Sequence, residues 1–162
     1  MQKLIIIAAC LPLMILGQEP NKQPTNNHAL GLNLDVTTGY GFSYRYNMKQ
    51  WTGEVTLLPV FSTGSSLIIS GFSVMYNTNF HDKVSPFLYI GGQSIYSRME
   101  YTPSQYNINH AIAAGLGGGV NINIIDLFDL SIKAGYALYS SRLPYSSNLV
   151  TFSSGLGIFY KF

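Results

Sequence analysis

From about residue 28 to the C-terminus the chain alternates apolar residues with small or polar ones at a period of two, broken at intervals by clusters of turn formers. That period belongs to a β-strand with two unlike faces. The pattern predicts eight strands, over residues 29–36, 39–47, 51–61, 66–78, 84–99, 106–123, 127–140 and 149–162. The first is the shortest, and its boundary with the second is the least sharply marked. The last strand sets Phe152, Leu156, Ile158, Tyr160 and Phe162 against Thr151, Ser153, Gly155, Gly157 and Lys161, with Phe159 breaking the rule. The seventh sets Leu130, Ile132, Ala134, Tyr136 and Leu138 against Ser131, Lys133, Gly135, Ala137 and Tyr139. In the second, Tyr40, Phe42, Tyr44 and Tyr46 oppose Gly41, Ser43, Arg45 and Asn47.

Composition decides which face points out. Only 10% of residues are charged, while twelve Tyr and nine Phe bring the aromatics to 14%. A soluble β-barrel that buried its apolar face would show water a surface of Gly, Ser and Asn with very few charges. The inverse arrangement, apolar face to lipid and polar face inward, fits this chain. Backbone donors and acceptors in lipid must all pair within the protein, so the sheet has to close. The expected fold is therefore all-β: an eight-stranded antiparallel up-and-down transmembrane β-barrel with a polar, side-chain-filled interior. Most of the strands reach the roughly 9–11 residues a tilted strand needs to cross a bilayer. With the N-terminus periplasmic, Tyr46, Trp51, Tyr76, Phe128 and Phe162 fall at one interface and Tyr40, Phe61, Tyr96, Tyr106 and Phe152 at the other. Two aromatic girdles are what such a barrel carries.

The N-terminus reads as an export signal. Met1, Gln2 and Lys3 form a short positive region, Leu4 to Leu16 an apolar stretch, and Gly17 a small residue at which cleavage is expected. Residues 1–17 are thus read as signal peptide, 18–27 as a flexible periplasmic tail rich in Gln, Asn and Pro, and 28–162 as barrel. Ile7-Ala8-Ala9-Cys10 also resembles a lipoprotein lipobox, but apolar sequence continues for six residues past Cys10 where a lipoprotein would turn polar. Cys10 is the sole cysteine, so its removal with the leader leaves neither thiol nor disulfide. The net charge of +2 shows no basic footprint for nucleic acid.

Eight strands enclose an interior just wide enough for side chains to fill. The charges expected inside are Asp35, Arg45, Glu54, Lys133 and Lys161. Arg45 and Glu54 lie symmetrically about the tight turn near Met48–Lys49, so they should face each other across the hairpin. An interior ion network is the structural reading; a gate or proton path is the functional one. The inward glycines of strands six to eight leave room that water could enter, so small, occasional ion openings are the most conduction expected.

Across its whole exported length the chain resembles the small outer-membrane barrel families typified by OmpA's transmembrane domain and OmpX. The last strand carries the most specific likeness, to the family's assembly signal: Gly157, Tyr160 and Phe162 match it, while Gly155 stands where a polar residue is usual. The resemblance implies an outer-membrane location in a Gram-negative envelope, insertion by the outer-membrane assembly machinery and contact with outer-membrane lipid. OmpA's peptidoglycan-binding domain has no counterpart in this sequence. Arg98 and Arg142, set among Tyr96, Tyr101, Tyr139 and Tyr145, are candidates for lipopolysaccharide contacts, against the plainer reading as solvated loop charges. A monomer with a structural or surface-interaction role, neither porin nor enzyme, is expected.

The alternative is a lipid A-modifying enzyme, since some eight-stranded outer-membrane barrels use a His and a Ser with an acidic partner near the outer rim. His28 and His81 lie toward the periplasmic end. His110 is lipid-facing near the outer end of the sixth strand, but its same-strand neighbour is Ile112, where such an enzyme would place Ser. No cofactor is expected, and no His, Asp or Glu pair has metal-ligand spacing on one face. Gly117-Gly118-Gly119 lacks the following helix of a phosphate loop and is read as allowing close packing inside the barrel.

Overall fold

The computed structural model describes residues 27–78, 83–102, 105–141 and 149–162. The expected signal peptide, most of the tail, His81 and Arg142 lie outside these residues. Eight strands follow one another: β1 (His28–Asp35), β2 (Gly39–Met48), β3 (Trp51–Ser62), β4 (Ser65–Asn77), β5 (Val84–Thr102), β6 (Gln105–Ile125), β7 (Phe128–Ser141) and β8 (Leu149–Lys161). Each pairs antiparallel with its neighbours in sequence, and β1 also pairs with β8, so the sheet closes. Closure gives every strand two neighbours over at least part of its length, which is what a sheet in lipid needs.

The period-two pattern sorts the faces as the sequence implies. Phe42, Leu116 and Phe152 point out, each more than 60% exposed, while Ser43, Glu54, Lys133 and Ser153 are buried on the inner face. β5 and β6 run past their expected ends because pairing resumes beyond irregularities between Glu100 and Thr102 and between Asn123 and Ile125. At the end of the barrel that carries the chain termini the outward aromatics meet in pairs: Trp51 with Tyr76 at 5.1 Å between centroids, and Phe128 with Tyr160 at 5.3 Å. His28 joins them, its Nδ1 2.6 Å from the Tyr44 hydroxyl and its ring stacked on Phe162.

The first hairpin departs from the expected geometry. β1 and β2 are 8 and 10 residues long, against 12 to 21 for the other strands. Pairing of β2 with β3 begins at Phe42↔Leu57, and pairing of β1 with β8 ends at Asp35↔Gly155. The hairpin therefore stops near mid-height. Tyr40, expected in the outer girdle, is the second residue of the short β2 and so sits well below that girdle.

Instead of continuing along the wall, the turn Val36–Thr38 folds into the lumen, where Thr37 and Thr38 are wholly buried. Asp35 starts the fold-back, its Oδ1 accepting the Thr37 N–H at 2.8 Å, which is the Asx turn an Asp favours. Gly39 and Gly41, at φ 98° and 127°, then let the chain reverse in a conformation L side chains rarely adopt. The opposite wall yields to the turn: a Cβ on Gly71 would strike the Thr38 carbonyl, and one on Gly91 or Gly115 would strike the methyls of Thr38 or Thr37.

Candidate functional site

The lumen at mid-height is where the inner-face chemistry gathers. Arg45 and Glu54 are direct cross-strand partners, as their symmetry about the β2–β3 turn implies, and Arg45 Nε donates to Glu54 Oε2 at 2.5 Å. Lys133 reaches in from β7: its Nζ lies 2.7 Å from Glu54 Oε1 and 3.5 Å from Asp35 Oδ2. Four of the five expected interior charges thus form one cluster, two carboxylates against two cations. Buried charges persist only when paired and hydrogen-bonded, and this set is close to neutral.

Lys161 does not belong to that cluster. It pairs with Asp129 at 2.9 Å, partly exposed at the rim of the barrel that carries the chain termini, where β7 begins and β8 ends. Asp129 has the inward parity of Ser131 and Lys133 and lies within the expected seventh strand, so the alternation itself offered it as a further inward charge that the sequence reading left out.

The cluster and the inserted turn are one assembly. Lys133 Nζ donates to Thr38 Oγ1 at 3.0 Å, and Thr38 Oγ1 donates to Asp35 Oδ2 at 2.7 Å. Gln93 Nε2 and Tyr139 Oη both donate to the Val36 carbonyl, at 2.5 and 3.2 Å, and the hydroxyls of Thr37 and Ser153 are hydrogen-bonded to each other. The turn is held by β5, β7 and β8 at once and spans the cross-section. Beneath it Arg45 lies over the Phe159 ring, 3.3 Å from its centroid, and Met75, Phe87 and Tyr89 form a buried apolar group. Room that the inward glycines seemed to leave for water is occupied: Gly117 by Tyr89, Gly119 by Phe87 and Gly155 by Asp35. Gly155, the departure from the assembly-signal pattern, is where Asp35 packs.

On the outer surface Tyr160 and Phe162 face out as the signal requires, and Gly157 faces in under the Phe159 ring. Arg98 borders a pocket of about 300 Å³ with Phe61, Ser66 and Glu100, near the β3–β4 turn. His110 has a partner the sequence did not reveal: Ser94 on β5, whose Oγ lies 2.9 Å from its Nε2. Both are on the outward face, in the half of the barrel beyond the inserted turn. A search along β6 alone misses Ser94, since the contact depends on the β5–β6 register, in which Tyr96 is opposite His110. Among the described residues no three His, Asp or Glu side chains come together as a metal site would need.

No protein-family model and no curated protein matches the chain. Solved structures do. The N-terminal β-barrel domain of Pseudomonas aeruginosa OprF is similar with a TM-score of 0.57 at 12% identity, over 85% of this chain and 98% of that one. Neisserial surface protein A, NspA, is similar with a TM-score of 0.55 at 14% identity, over 83% of this chain and 94% of that one. At such identities the likeness speaks for the fold, and it agrees with the strand number, closure and face pattern above. The chain has the fold of the small eight-stranded outer-membrane β-barrels.

Proposed function

We propose that the protein is an integral outer-membrane barrel with a structural or surface-interaction role and a lumen closed to steady ion flow. The observation carrying this reading is the Val36–Thr38 turn, folded across the lumen and tied to the Asp35–Arg45–Glu54–Lys133 cluster. An open pore needs a continuous water path, and here backbone and paired charges fill it. Export through cleavage near Gly17, insertion by the assembly machinery through Gly157, Tyr160 and Phe162, a monomeric state, and lipopolysaccharide contacts at Arg98 and Arg142 belong to the same reading. The name of NspA, a surface protein, accords with it. Planar-bilayer recording of the purified barrel is the test: the wild type is expected to give rare, small openings, and a stable porin-sized conductance would replace this reading with transport.

A second reading has one specific observation behind it, the Ser94–His110 contact at 2.9 Å on the lipid face. An imidazole hydrogen-bonded to a hydroxyl is the arrangement in which the base takes the nucleophile's proton, so an acyl ester in the outer leaflet would be its substrate. Mass spectrometry of lipid A from cells with and without the gene, and with Ser94→Ala, separates the readings. An acyl loss that needs Ser94 makes the protein an enzyme; unchanged lipid A leaves the pair as two polar groups satisfying each other in lipid.

A further inference from the structure

The short first hairpin leaves the barrel wall incomplete in its outer half. β3 continues beyond Leu57 and pairs with β4 as far as Ser62↔Ser65, yet its other edge, over residues 59–62, past the approach of Gly41 to Leu58, faces no strand among the described residues. β8 is in the same position over residues 149–154, above the end of its pairing with β1. Two strands are missing between them, so the gap spans up to three inter-strand spacings, or about 14 Å. Pro59 lies in the stretch of β3 that lacks this neighbour, an edge position where proline is tolerated.

The chemistry of the lumen changes at the inserted turn. Below and around it the inner face carries the four charges. One layer above, the inward residues are Leu58, Ile69, Ile95 and Ala111, successive partners across β3, β4, β5 and β6. In the row above them Val60 and Leu67, beside the notch, are apolar, while their partners Ser97 and Asn109 on β5 and β6 are polar. Val60 is on the inner face but remains 45% exposed, because among the described residues no strand stands beside it where β2 would have run. An apolar cup thus sits on a closed polar floor and opens sideways through the notch. A polar lumen does not call for such a lining, and water gains nothing from it.

We propose that this cup is a binding site for an acyl chain of lipopolysaccharide, admitted laterally through the notch between β3 and β8. The proposal rests on the outer-membrane reading and extends it. Continuity with the lipid-facing surface is its first support: Leu57, Pro59 and Phe61 flank one side of the notch and Val150 and Phe152 the other, all exposed. With both termini periplasmic, the notch lies only at the level of the outer leaflet, which lipopolysaccharide forms. The two free strand edges supply the second support. Backbone donors and acceptors left unmet in hydrocarbon are costly, and the ester and hydroxyl groups near the head of a lipid A acyl chain would meet them while the alkyl portion fills the cup. The floor makes this a site of retention rather than passage.

The test uses the intact barrel in nanodiscs of perdeuterated phospholipid doped with protonated lipopolysaccharide, with methyl-labelled isoleucine. Methylene cross-peaks are expected at Ile69 and Ile95 in the cup as well as at Ile112, which faces lipid in the same half. Cross-peaks at Ile112 alone would overturn the cup while leaving the membrane reading intact. Their absence at all three would overturn both. Ile95→Trp, which fills the cup, should abolish the Ile69 cross-peak and leave that of Ile112; a persistent Ile69 cross-peak in that variant would also defeat the proposal.

Discussion

Lys133 is wholly buried, and its ammonium governs what must surround it. A lone ammonium in a confined interior would be neutralised or would unfold the site, so Glu54 and Asp35 are conditions of its charge rather than additions to it. Glu54 is shared between Arg45 and Lys133, and its loss leaves two cations facing Asp35 alone. Breaking a buried pair from one side typically costs about 3–5 kcal/mol. Glu54→Ala is expected to lose stability in that range in urea titrations of the folded barrel, with more frequent current openings. Lys133→Met combined with Asp35→Asn leaves the neutral Arg45–Glu54 pair, so the double variant should lose less than the two single losses added together. Strict additivity would mean that the four charges do not act as one cluster. The Arg45–Glu54 contact was legible in the sequence, because residues symmetric about a tight turn are opposed in register. Lys133 was legible only as inward, since parity gives the face of a residue and not its height in the barrel.

At the scale of the element, the first hairpin and the last strand do different work. The β1–β2 turn depends on the opposite wall carrying no side chain where it arrives, and Gly71 is the tightest such place. Gly71→Val would set carbon atoms where the Thr38 carbonyl lies, so the turn should leave the lumen. Steady conductance is then expected in planar bilayers from a variant that still migrates as a folded, heat-modifiable barrel; a folded but silent variant would show that the turn is not what closes the lumen. Tyr160 and Phe162 are exposed on the outer face of β8, and the proposed assembly role makes them the residues by which that strand is recognised. Replacing both by Ser should leave unfolded protein in the periplasm, and normal heat-modifiable migration of that variant would count against the assembly role. The turn at Asp35–Gly39 could be anticipated from Asp35 with Thr37, Thr38 and Gly39 close behind it. Its inward path could not, because nothing local distinguishes a turn in solvent from one folded back into a barrel. The shortness of the first strand was the one trace of it.

For the whole molecule, the defining property is a sheet turned inside out relative to a soluble one. Leu116 lies at mid-height on β6 with its side chain on the outer face. Leu116→Arg is expected to cost roughly 2–4 kcal/mol, as for a cation at the membrane midplane, read by denaturant unfolding in bilayers. Spin labels at 132 and 133 should report lipid and lumen respectively, and the reverse result would undo the assignment of faces. The sequence by itself determined that assignment, the eight strands and the closed sheet, because a two-residue period under a shortage of charge leaves one arrangement that satisfies both lipid and backbone. Tertiary structure alone decided the depth of the inserted turn, the meeting of Lys133 with Glu54 and Thr38, the Ser94–His110 pair and the open notch between β3 and β8. All of these depend on strand stagger. Sliding one strand past the next by two residues leaves every face unchanged, so the alternating pattern is silent about stagger, which closure of the barrel and packing across its lumen fix.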